Sequence, residues 1–563
     1  MEYRGYDSVG VATLYQNDIE TRKGVGKVAE VNEQLLLETM QGKMGIGHTR
    51  WATHGGVDAA NAHPHSSTSN DIAIVHNGII DNYQSLRQEL MEEGFTFKSQ
   101  TDSEVISNLL QKRWDETGDV KESMLKTVSE LSGNYAFIAL FRNGTIAAAR
   151  YREPLILGLG GTSYFLSSDV LGFIDYTDDA IFLEDGEFVV ITSSNSDFFN
   201  FEGASIHPRK TKIAHELFEV KKGEFSHFTL KEIFEQPSTI LRAGNGDLQN
   251  AASVAKRIGE SQNIYFTGSG TSYHSAMIGC YLLSKFAQIR VEPIISSEVG
   301  FIPHFLNKGS VLVAISQSGE SADILNAASV AKRNGAEVVS IVNSMTSSLA
   351  RESAVATSLN CGPEIGVAAT KSFTSQLAVL YKLTDMICGG AIEPDFMQLS
   401  QAISKILSGS SRIRQIAEEF RYVSDIYVLG RGIHFPIALE GSLKIKELTY
   451  IHAEGLAGGE LKHGPLALMH EGVAVIMINP DDSTYRDTLA GAHEIKARGG
   501  KIIGISNKLN EIYDRWIQIP SINEMLFPIV ECVPLQLLAY YTAVERNANP
   551  DYPRNLAKCV TVK

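Results

Sequence analysis

The chain has 563 residues, which is too long for one hydrophobic core and predicts several domains. Its apolar content of 44% and charged content of 20% are those of an ordinary globular protein and argue against extensive disorder. The net charge of −15 at pH 7 disfavours nucleic acid as a partner, because binding nucleic acid requires Lys and Arg to neutralise phosphates. An anionic ligand would have to be held by local groups.

The cysteines indicate a reducing compartment, and we expect a cytoplasmic protein. They form no Cys-x-x-Cys pair and are odd in number, which predicts neither a disulfide framework nor a zinc site. They are Cys280, Cys361, Cys388, Cys532 and Cys559. The start MEYRGYDS lacks the basic and apolar regions of a signal peptide. The longest apolar run, Met525 to Val544, carries Glu531 and predicts a buried strand or loop leading into a helix from Val533, with no membrane span.

Residues 1–195 alternate short β-branched runs with turn signals, which predicts a layered α+β domain. Helices are expected near Tyr83 to Glu93 and Asp102 to Trp114. Residues 196–250 are mixed and polar and predict a linker that includes the helix FSHFTLKEIFEQPSTILRA. The first part of the chain is therefore expected to fold separately from the rest.

Three features of this first part have both a binding and a structural interpretation. Arg50 follows a predicted strand and would either clamp an α-carboxylate with its planar fork or lie at a strand end on the surface. Asn77-Gly78 is a turn dipeptide or an oxyanion hole. Asp102 would pair with a substrate ammonium or cap the following helix.

The first part is also rich in histidine. The residues are His48, His54, His63, His65 and His76. They have no fixed ligand spacing and no clustered acidic or Cys partner, so a metal site is not favoured.

The second half contains a degenerate internal repeat. The segment from Ile264 (IYFTGSGTSYHS) matches the segment from Ile426 (IYVLGRGIHFPI) in its pattern of strand, glycine turn and helix. The alternation predicts two parallel α/β subdomains, at 251–395 and 415–550, followed by a tail at 551–563. Ligands of such sheets lie at the carboxyl ends of the strands.

Two polar loops follow strands of the first copy. Ser316-Gln317-Ser318-Gly319-Glu320-Ser321 precedes a helix, and Thr271-Ser272 begins another, so both offer hydroxyl and N–H groups to a phosphate. Plain helix capping by serine is the alternative. Gly268-x-Gly270 resembles the start of a dinucleotide fingerprint, but Tyr273 stands at the third glycine position. The second copy has Asn479-Pro-Asp-Asp-Ser instead, which favours one phosphate site for the pair.

Three further segments carry groups able to move protons or form an imine. Glu440, Lys444 and Glu447 share one helix face at i, i+4 and i+7, where the alternative is an exposed ladder of ion pairs. His463 lies in a glycine-bounded loop and is either catalytic or structural. Lys558 lies in the tail, as a solvated side chain or as a desolvated amine able to form a Schiff base with a ketone.

The chain resembles the glutamine–fructose-6-phosphate aminotransferase (isomerizing) family over nearly its whole length. The motifs that carry the resemblance are EYRGYDS, HTRWATHG, NAHPH, VHNGII, TDSEV, SQSGE, EIGVAATKSFTSQ, EGSLKIKEL, ELKHGPLAL and PRNLAKCVTV. The resemblance implies an Ntn-type αββα glutaminase followed by two sugar isomerase (SIS) subdomains. It also implies a cytoplasmic homodimer with no cofactor or metal, which performs the first step of amino-sugar synthesis.

The resemblance also implies residue roles in the second half. Fructose 6-phosphate would be held by Thr271, Ser272, Ser316, Gln317, Ser318 and Ser321, with the backbone near Val367 and Ala557. His463 from the neighbouring subunit would open the sugar ring. Lys558 would form the imine, and Glu447 would move a proton between C1 and C2, assisted by Lys444 and Glu440. Two positions depart from the family, since Ser321 and Ala369 stand where relatives generally show Thr and Ser.

In the first half the resemblance implies a glutamine pocket. The residues concerned are Arg50, Thr53, His54, Gly78 and Asp102 for glutamine, Asn77 and Gly78 for the oxyanion hole, and Trp51 for the gate of an ammonia channel. The family's nucleophile is an N-terminal Cys ahead of the EYRGYDS motif, and here Met1 directly precedes that motif. We therefore expect this chain to be truncated at its N-terminus and defective in glutamine hydrolysis.

Two other functions remain open from the sequence. One is a sugar-phosphate isomerase or deaminase that needs no glutamine. The other is a regulatory protein that only binds a sugar phosphate, although binding alone needs neither a proton shuttle nor an imine-forming amine.

Overall fold

A computed structural model describes residues 2, 5–52, 54–193, 195–213 and 222–559. Thr53, predicted to bind glutamine, lies outside the described residues. The described part forms two compact units, one up to residue 213 with Cys559 and the other from residue 222 to Lys558.

The first unit contains three antiparallel sheets. Its strands are β1 (Ser8–Tyr15), β2 (Asp18–Val25), β3 (Met44–Arg50), β4 (His65–Ser66), β5 (Ile72–Ile80), β6 (Gly133–Phe141), β7 (Ile146–Tyr151), β8 (Ile156–Leu159), β9 (Tyr164–Ser167), β10 (Asp179–Phe182), β11 (Glu187–Ile191), β12 (Ser196–Asn200), β13 (Ser205–Ile206) and β14 (Lys210–Lys212). The sheet orders are β2-β1-β3, β14-β10-β8-β9 and β13-β12-β11-β7-β6-β5-β4. Strands β12, β13 and β14 come from the segment, 196–250, that we expected to be a linker.

Helices cover one face of the seven-stranded sheet. They are α2 (Tyr83–Glu92), α3 (Glu104–Thr117) and α4 (Val120–Glu130), after a short α1 (Val28–Leu35) near the start. Ile72 and Ile74 of β5 pack against Val105 and Leu109 of α3. On the other face, Ala73 and Val75 meet Ala12 of the three-stranded sheet. Alternate residues of β5 therefore face opposite layers, as the period of two requires.

The second unit contains two parallel five-stranded sheets. The first has β15 (Asn263–Gly268), β16 (Val291–Ile295), β17 (Ser310–Ser316), β18 (Glu337–Val342) and β19 (Val355–Ser358), and the second has β20 (Asp425–Gly430), β21 (His452–Ala457), β22 (Ala474–Ile478), β23 (Lys501–Ser506) and β24 (Arg515–Gln518). Their orders, β16-β15-β17-β18-β19 and β21-β20-β22-β23-β24, are the same. The predicted parallel repeat is confirmed.

Eleven described helices accompany these sheets. They are α5 (Phe228–Asn245), α6 (Leu248–Glu260), α7 (Thr271–Leu282), α8 (Ala322–Arg333), α9 (Ser348–Glu352), α10 (Lys371–Ile387), α11 (Phe396–Ser408), α12 (Ser410–Glu419), α13 (Phe435–Thr449), α14 (Tyr485–Lys496) and α15 (Phe527–Glu545). One continuous core joins residues of both sheets with α10 and α15. The two repeats therefore share their hydrophobic interior.

Helix α15 corrects one prediction. The run from Met525 is helical from Phe527 onward, so the expected strand or loop before Val533 was wrong. Pro528 occupies the first turn, where its missing N–H is not needed. The span Glu524–Glu545 is apolar and long enough to cross a membrane, but 89% of its most apolar window is buried inside the protein. Burial of that kind is typical of a core helix.

The C-terminal segment is fixed to the start of α5. The Asp551 carboxylate accepts hydrogen bonds from the backbone N–H groups of Phe228 and Thr229, at 2.9 and 2.8 Å. The Thr229 hydroxyl donates to the same carboxylate at 2.9 Å. Val367 N–H donates to the Asp551 carbonyl at 3.3 Å. These bonds place the last described residues of the unit beside the loop that follows β19.

Candidate active sites

The two predicted phosphate loops lie at neighbouring strand ends of the first repeat. Strands β15 and β17 pair in parallel, so the start of α7 and the loop after β17 emerge at the same edge of the sheet. Thr271, Ser272 and Ser316 are 9%, 8% and 6% exposed. A cluster of hydroxyl groups therefore lies at two helix N-termini, where the helix dipoles favour an anion.

The loop after β17 turns at a glycine in the left-handed conformation. Gly319 has a φ of 69°, and a Cβ there would clash with the Ser347 side chain. The Gly319 N–H donates to Ser316 Oγ at 2.9 Å, and Glu320 N–H donates to Ser318 Oγ at 3.2 Å. Both hydroxyl oxygens therefore accept hydrogen bonds from the backbone of the loop and help to fix its shape.

Four other residues predicted to bind the sugar phosphate, Gln317, Ser321, Val367 and Ala557, are half-buried. Sequence reasoning missed Gln376 on α10, whose amide donates to Ser272 Oγ at 3.0 Å. Only the fold brings α10 to this strand end.

The carboxylates and lysine of α13 form a buried network with the start of α7. Lys444 Nζ lies 2.5 Å from Glu447 Oε2 and 3.5 Å from Glu440 Oε1. The Thr271 hydroxyl donates to Glu440 at 3.1 Å and accepts from Lys444 at 3.2 Å. Glu440 and Lys444 are 2% and 1% exposed, so the alternative of an exposed ion-pair ladder on this helix is wrong. Sequence reasoning missed His274, whose Nδ1 is 2.8 Å from Glu440 Oε2.

This network holds its charges in place. Burial alone would raise the pKa of Glu440, but Lys444 and His274 lower it below its usual value. Burial likewise acts to lower the pKa of Lys444, and the charges of Glu447 and Glu440 raise it above its usual value. The structure thus places a charged lysine between two carboxylates, a suitable arrangement for stabilising an enolate-like intermediate and moving a proton.

Lys558 is buried against the loop after β19. Its side chain is 5% exposed, and Nζ donates to Glu364 Oε2 at 2.6 Å and to the Gly366 carbonyl at 2.8 Å. The alternative of a solvated tail lysine is therefore wrong. Sequence reasoning quoted the segment that contains Glu364 but assigned that residue no role.

His463 stands apart from these groups. It is exposed in the short turn Glu460–His463, and within the described residues of this chain no hydrogen bond joins it to Glu447 or Lys558. An exposed position is compatible with the expectation that it serves a second subunit.

In the second repeat, a buried histidine and two carboxylates occupy the corresponding strand end. His434, which follows β20, is fully buried between Glu531 and Asp482, with Nδ1 2.9 Å from Glu531 Oε2 and Nε2 2.8 Å from Asp482 Oδ2. Burial alone would lower the pKa of His434, but the two carboxylates raise it to about 10. A charged histidine therefore occupies the place that corresponds to Ser272 in the first repeat.

The first unit has a separate cavity of about 310 Å³. Its lining residues include the predicted glutamine-binding and oxyanion residues Arg50, Trp51, His54, Asn77, Gly78 and Asp102, together with Cys559. The Asp102 carboxylate accepts from Ile80 N–H at 2.8 Å, so it also stabilises the end of β5. Arg50 donates to the carbonyls of His54 and Gly56, which holds the loop after β3.

Neutral histidines line the back of this cavity. His48 Nε2 lies 2.9 Å from Asn77 Oδ1, which directs the NH2 group of that amide away from the histidine. Burial lowers the pKa of His48 to about 4 and that of His63 well below its usual value. His48 stacks on His63 with centroids 4.4 Å apart. Among the described residues, no group of three or more His, Cys, Asp or Glu side chains is arranged to hold a metal ion.

Comparison with known proteins agrees with both halves of the architecture. A family model described as a glutamine amidotransferase domain matches residues 48–173, and the SIS domain model matches 257–386 and 419–546. The relative from Pyrococcus horikoshii named glutamine–fructose-6-phosphate aminotransferase (isomerizing) is 43% identical, covering 100% of this chain and 96% of that protein. One of the same name from Methanothermobacter thermautotrophicus is 41% identical over the same shares.

The chain belongs to the glutamine–fructose-6-phosphate aminotransferase (isomerizing) family. It is accordingly an aminotransferase with a glutamine amidotransferase domain and two SIS domains, and the predicted fold class is confirmed.

Solved structures resemble the second unit of this aminotransferase. The C-terminal domain of the Francisella tularensis glucosamine-fructose-6-phosphate aminotransferase has a TM-score of 0.54 and 33% identity, covering 59% of this chain and 100% of that chain. A Thermotoga maritima glucosamine-6-phosphate deaminase has a TM-score of 0.51 and 26% identity, covering 60% of this chain and 100% of that chain.

Proposed function

We propose that the second unit converts fructose 6-phosphate and ammonia into glucosamine 6-phosphate, using Lys558 to form an imine at C2. The observation that carries the proposal is the buried amine of Lys558 in the same unit as a cluster of strand-end hydroxyl groups and the Glu440–Lys444–Glu447 network. Domain limits of 251–395, 415–550 and 551–563 for this unit contain the matched SIS segments.

In this proposal each group has one role. Thr271, Ser272, Ser316, Gln317, Ser318 and Ser321, with the backbone at Val367 and Ala557, bind the sugar phosphate. Glu447 moves the proton between C1 and C2, and the positive charge of Lys444 stabilises the negative charge that develops on the substrate. Glu440 fixes Lys444 and Thr271 in position through its two bonds.

We further propose that His463 opens the sugar ring of a neighbouring subunit in a cytoplasmic homodimer. Its exposure in this chain supports that assignment, because a histidine that serves only its own subunit would be expected to contact the network on α13.

In the proposal, the amidotransferase domain, at 1–195, binds glutamine through Arg50, Thr53, His54, Gly78 and Asp102. Asn77 and Gly78 form the oxyanion hole, and Trp51 is the gate for ammonia. The position of His48 beside Asn77 supports the oxyanion role, because it leaves the amide NH2 available as a donor. A polypeptide of these 563 residues has no cysteine before Cys280. We infer that it does not hydrolyse glutamine by the family's N-terminal thiol.

The test uses the purified 563-residue chain with fructose 6-phosphate and either ammonium chloride or glutamine. We expect glucosamine 6-phosphate with ammonium and no glutamate from glutamine. Lys558→Arg should abolish synthesis while sugar-phosphate binding survives. Turnover of fructose 6-phosphate without any nitrogen donor would favour the isomerase or deaminase alternative.

One control concerns the thiol that borders the glutamine cavity. Cys559 has no N-terminal amine beside it to act as a base. If the original chain releases glutamate, the inferred defect in glutamine hydrolysis is contradicted. The Cys559→Ser variant then shows whether the Cys559 thiol is the nucleophile.

A further inference from the structure

The ion pair of Lys558 with Glu364 is closed from solvent on both sides. The Glu364 side chain is fully buried, and the Lys558 side chain is 5% exposed. An amine acts as a nucleophile only in its neutral form, whereas a carboxylate at hydrogen-bond distance favours the ammonium. In the structure, Lys558 is therefore paired with a carboxylate that disfavours the neutral amine needed for the proposed reaction.

Glu364 is held as a carboxylate by donors other than Lys558. Thr370 N–H and Ser372 N–H donate to Oε1 at 2.9 and 3.0 Å, and the Ser372 hydroxyl donates to Oε2 at 2.7 Å. Burial alone would raise the pKa of Glu364, but Lys558 and these bonds lower it to about 2. The residue is a weak base and remains negatively charged.

Four other titratable groups interact with this pair. Glu232 on α5 accepts from the N–H of Gly366, whose carbonyl accepts from Lys558. Burial and the charge of Glu364 raise the pKa of Glu232 above its usual value. The other three are Cys361 and Lys444, which interact electrostatically with Glu364, and Lys371, which interacts with Glu232. Glu364 is thus the negative charge in direct contact with the amine.

We propose that Glu364 is a positioning residue that holds Lys558 as a buried ammonium and so limits its reaction with carbonyl compounds. The inference rests on the proposed role of Lys558 in imine formation.

The proposed reaction balances with the amine starting as an ammonium. A proton leaves Lys558 Nζ, and the nitrogen lone pair forms a bond to C2 of the open-chain ketose while the C2–O π electrons move to oxygen. Two of the three original N–H protons depart with that oxygen as water. The third remains on the protonated imine, which is again a cation facing Glu364.

The test measures the nucleophilicity of Lys558 without sugar. Acetic anhydride acetylates only neutral amines, forming an N–C bond and releasing acetate and a proton, and peptide mass spectrometry reports the extent at each lysine. Because a carboxylate at hydrogen-bond distance favours the ammonium, Glu364→Gln should lower the midpoint of acetylation at Lys558, which is the anhydride concentration that acetylates half of that lysine at a fixed pH, by roughly 10-fold or more. Lys256, which is exposed, serves as the internal reference.

Glu235→Gln is the matched control. Glu235, on α5, is likewise a carboxylate paired with lysines, here Lys371 and Lys231, but Lys558 donates to other acceptors. This variant should leave the midpoint at Lys558 unchanged. If Glu364→Gln does not fold, Glu364→Asp withdraws the carboxylate by one carbon and should still increase acetylation.

A midpoint at Lys558 that is the same in the original chain and in the folded Glu364 variant overturns the inference. A separate experiment tests the proposed function. The original chain is incubated with fructose 6-phosphate and cyanoborohydride, which should leave a reduced adduct on Lys558. Absence of that adduct with a shifted acetylation midpoint would reject the imine while leaving the effect of Glu364 established.

Discussion

The two repeats of the second unit have the same strand order but differ at the edge where the strands end. In the first repeat, the strand edge carries the hydroxyl groups of Thr271, Ser272 and Ser316. In the second, His434 is enclosed between Glu531 and Asp482. The same fold thus carries the proposed binding site in one copy and a buried charge network in the other.

The comparison shows that strand order does not by itself determine what a strand end does. The side chain that begins the helix after the first strand is a small alcohol in one copy and an imidazole in the other. A small alcohol leaves space and donors for a ligand, whereas the imidazole fills that space and satisfies buried carboxylates. We expect the first edge to govern ligand affinity and the second to govern stability.

The largest expected effect comes from His434→Ala. Removing one partner of a buried charge network leaves Glu531 and Asp482 unpaired and should cost about 3–5 kcal/mol in the free energy of unfolding. Denaturant unfolding measures the loss. The control His452→Ala removes an exposed partner of Asp425 and should cost about 0–1 kcal/mol. Equal losses in the two variants would contradict the contrast between the repeats.

The same histidine predicts how stability depends on pH. Because the pKa of His434 is raised from 6.5 to about 10 in the folded chain, its contribution is complete below pH 6.5 and is lost as pH rises through 10. Unfolding curves between pH 6.5 and 10 should show a steeper fall in stability for the original chain than for His434→Gln. Parallel curves would show that the histidine is not charged.

The smallest expected effect is on ligand binding in the first repeat. Ser316→Ala removes one hydroxyl donor and should weaken fructose 6-phosphate binding by about 0.5–1.5 kcal/mol, or roughly 2- to 10-fold in Kd, as measured by calorimetry. Asn479→Ala changes the corresponding strand end of the second repeat. It should leave that Kd unchanged, and a similar loss from both variants would remove the functional distinction between the two edges.

The sequence predicted the repeat and the position of its loops because these depend on local periodicity and glycine turns. The spacing of Glu440, Lys444 and Glu447 likewise placed three groups on one helix face, which the structure bears out as geometry. Their catalytic roles stay predictions.

Partners that come from distant segments were not predicted. Glu364 and His274 reach Lys558 and Glu440 across 194 and 166 residues, and no periodicity links such positions. The helix from Phe527 was not predicted as such, because Pro528, Pro534 and the charged Glu531 suggested that the apolar run was interrupted. Burial with His434 compensates for that carboxylate, which is a tertiary effect.

The bond between Asp551 and the start of α5 has a consequence for how the enzyme is made. Its two partners are separated by 322 residues, so they meet only after nearly the entire unit has been synthesised. The segment that carries Asp551 also carries Lys558. A nascent chain that has not yet reached this segment lacks both the cap on α5 and the amine of the proposed reaction, so the two arrive together.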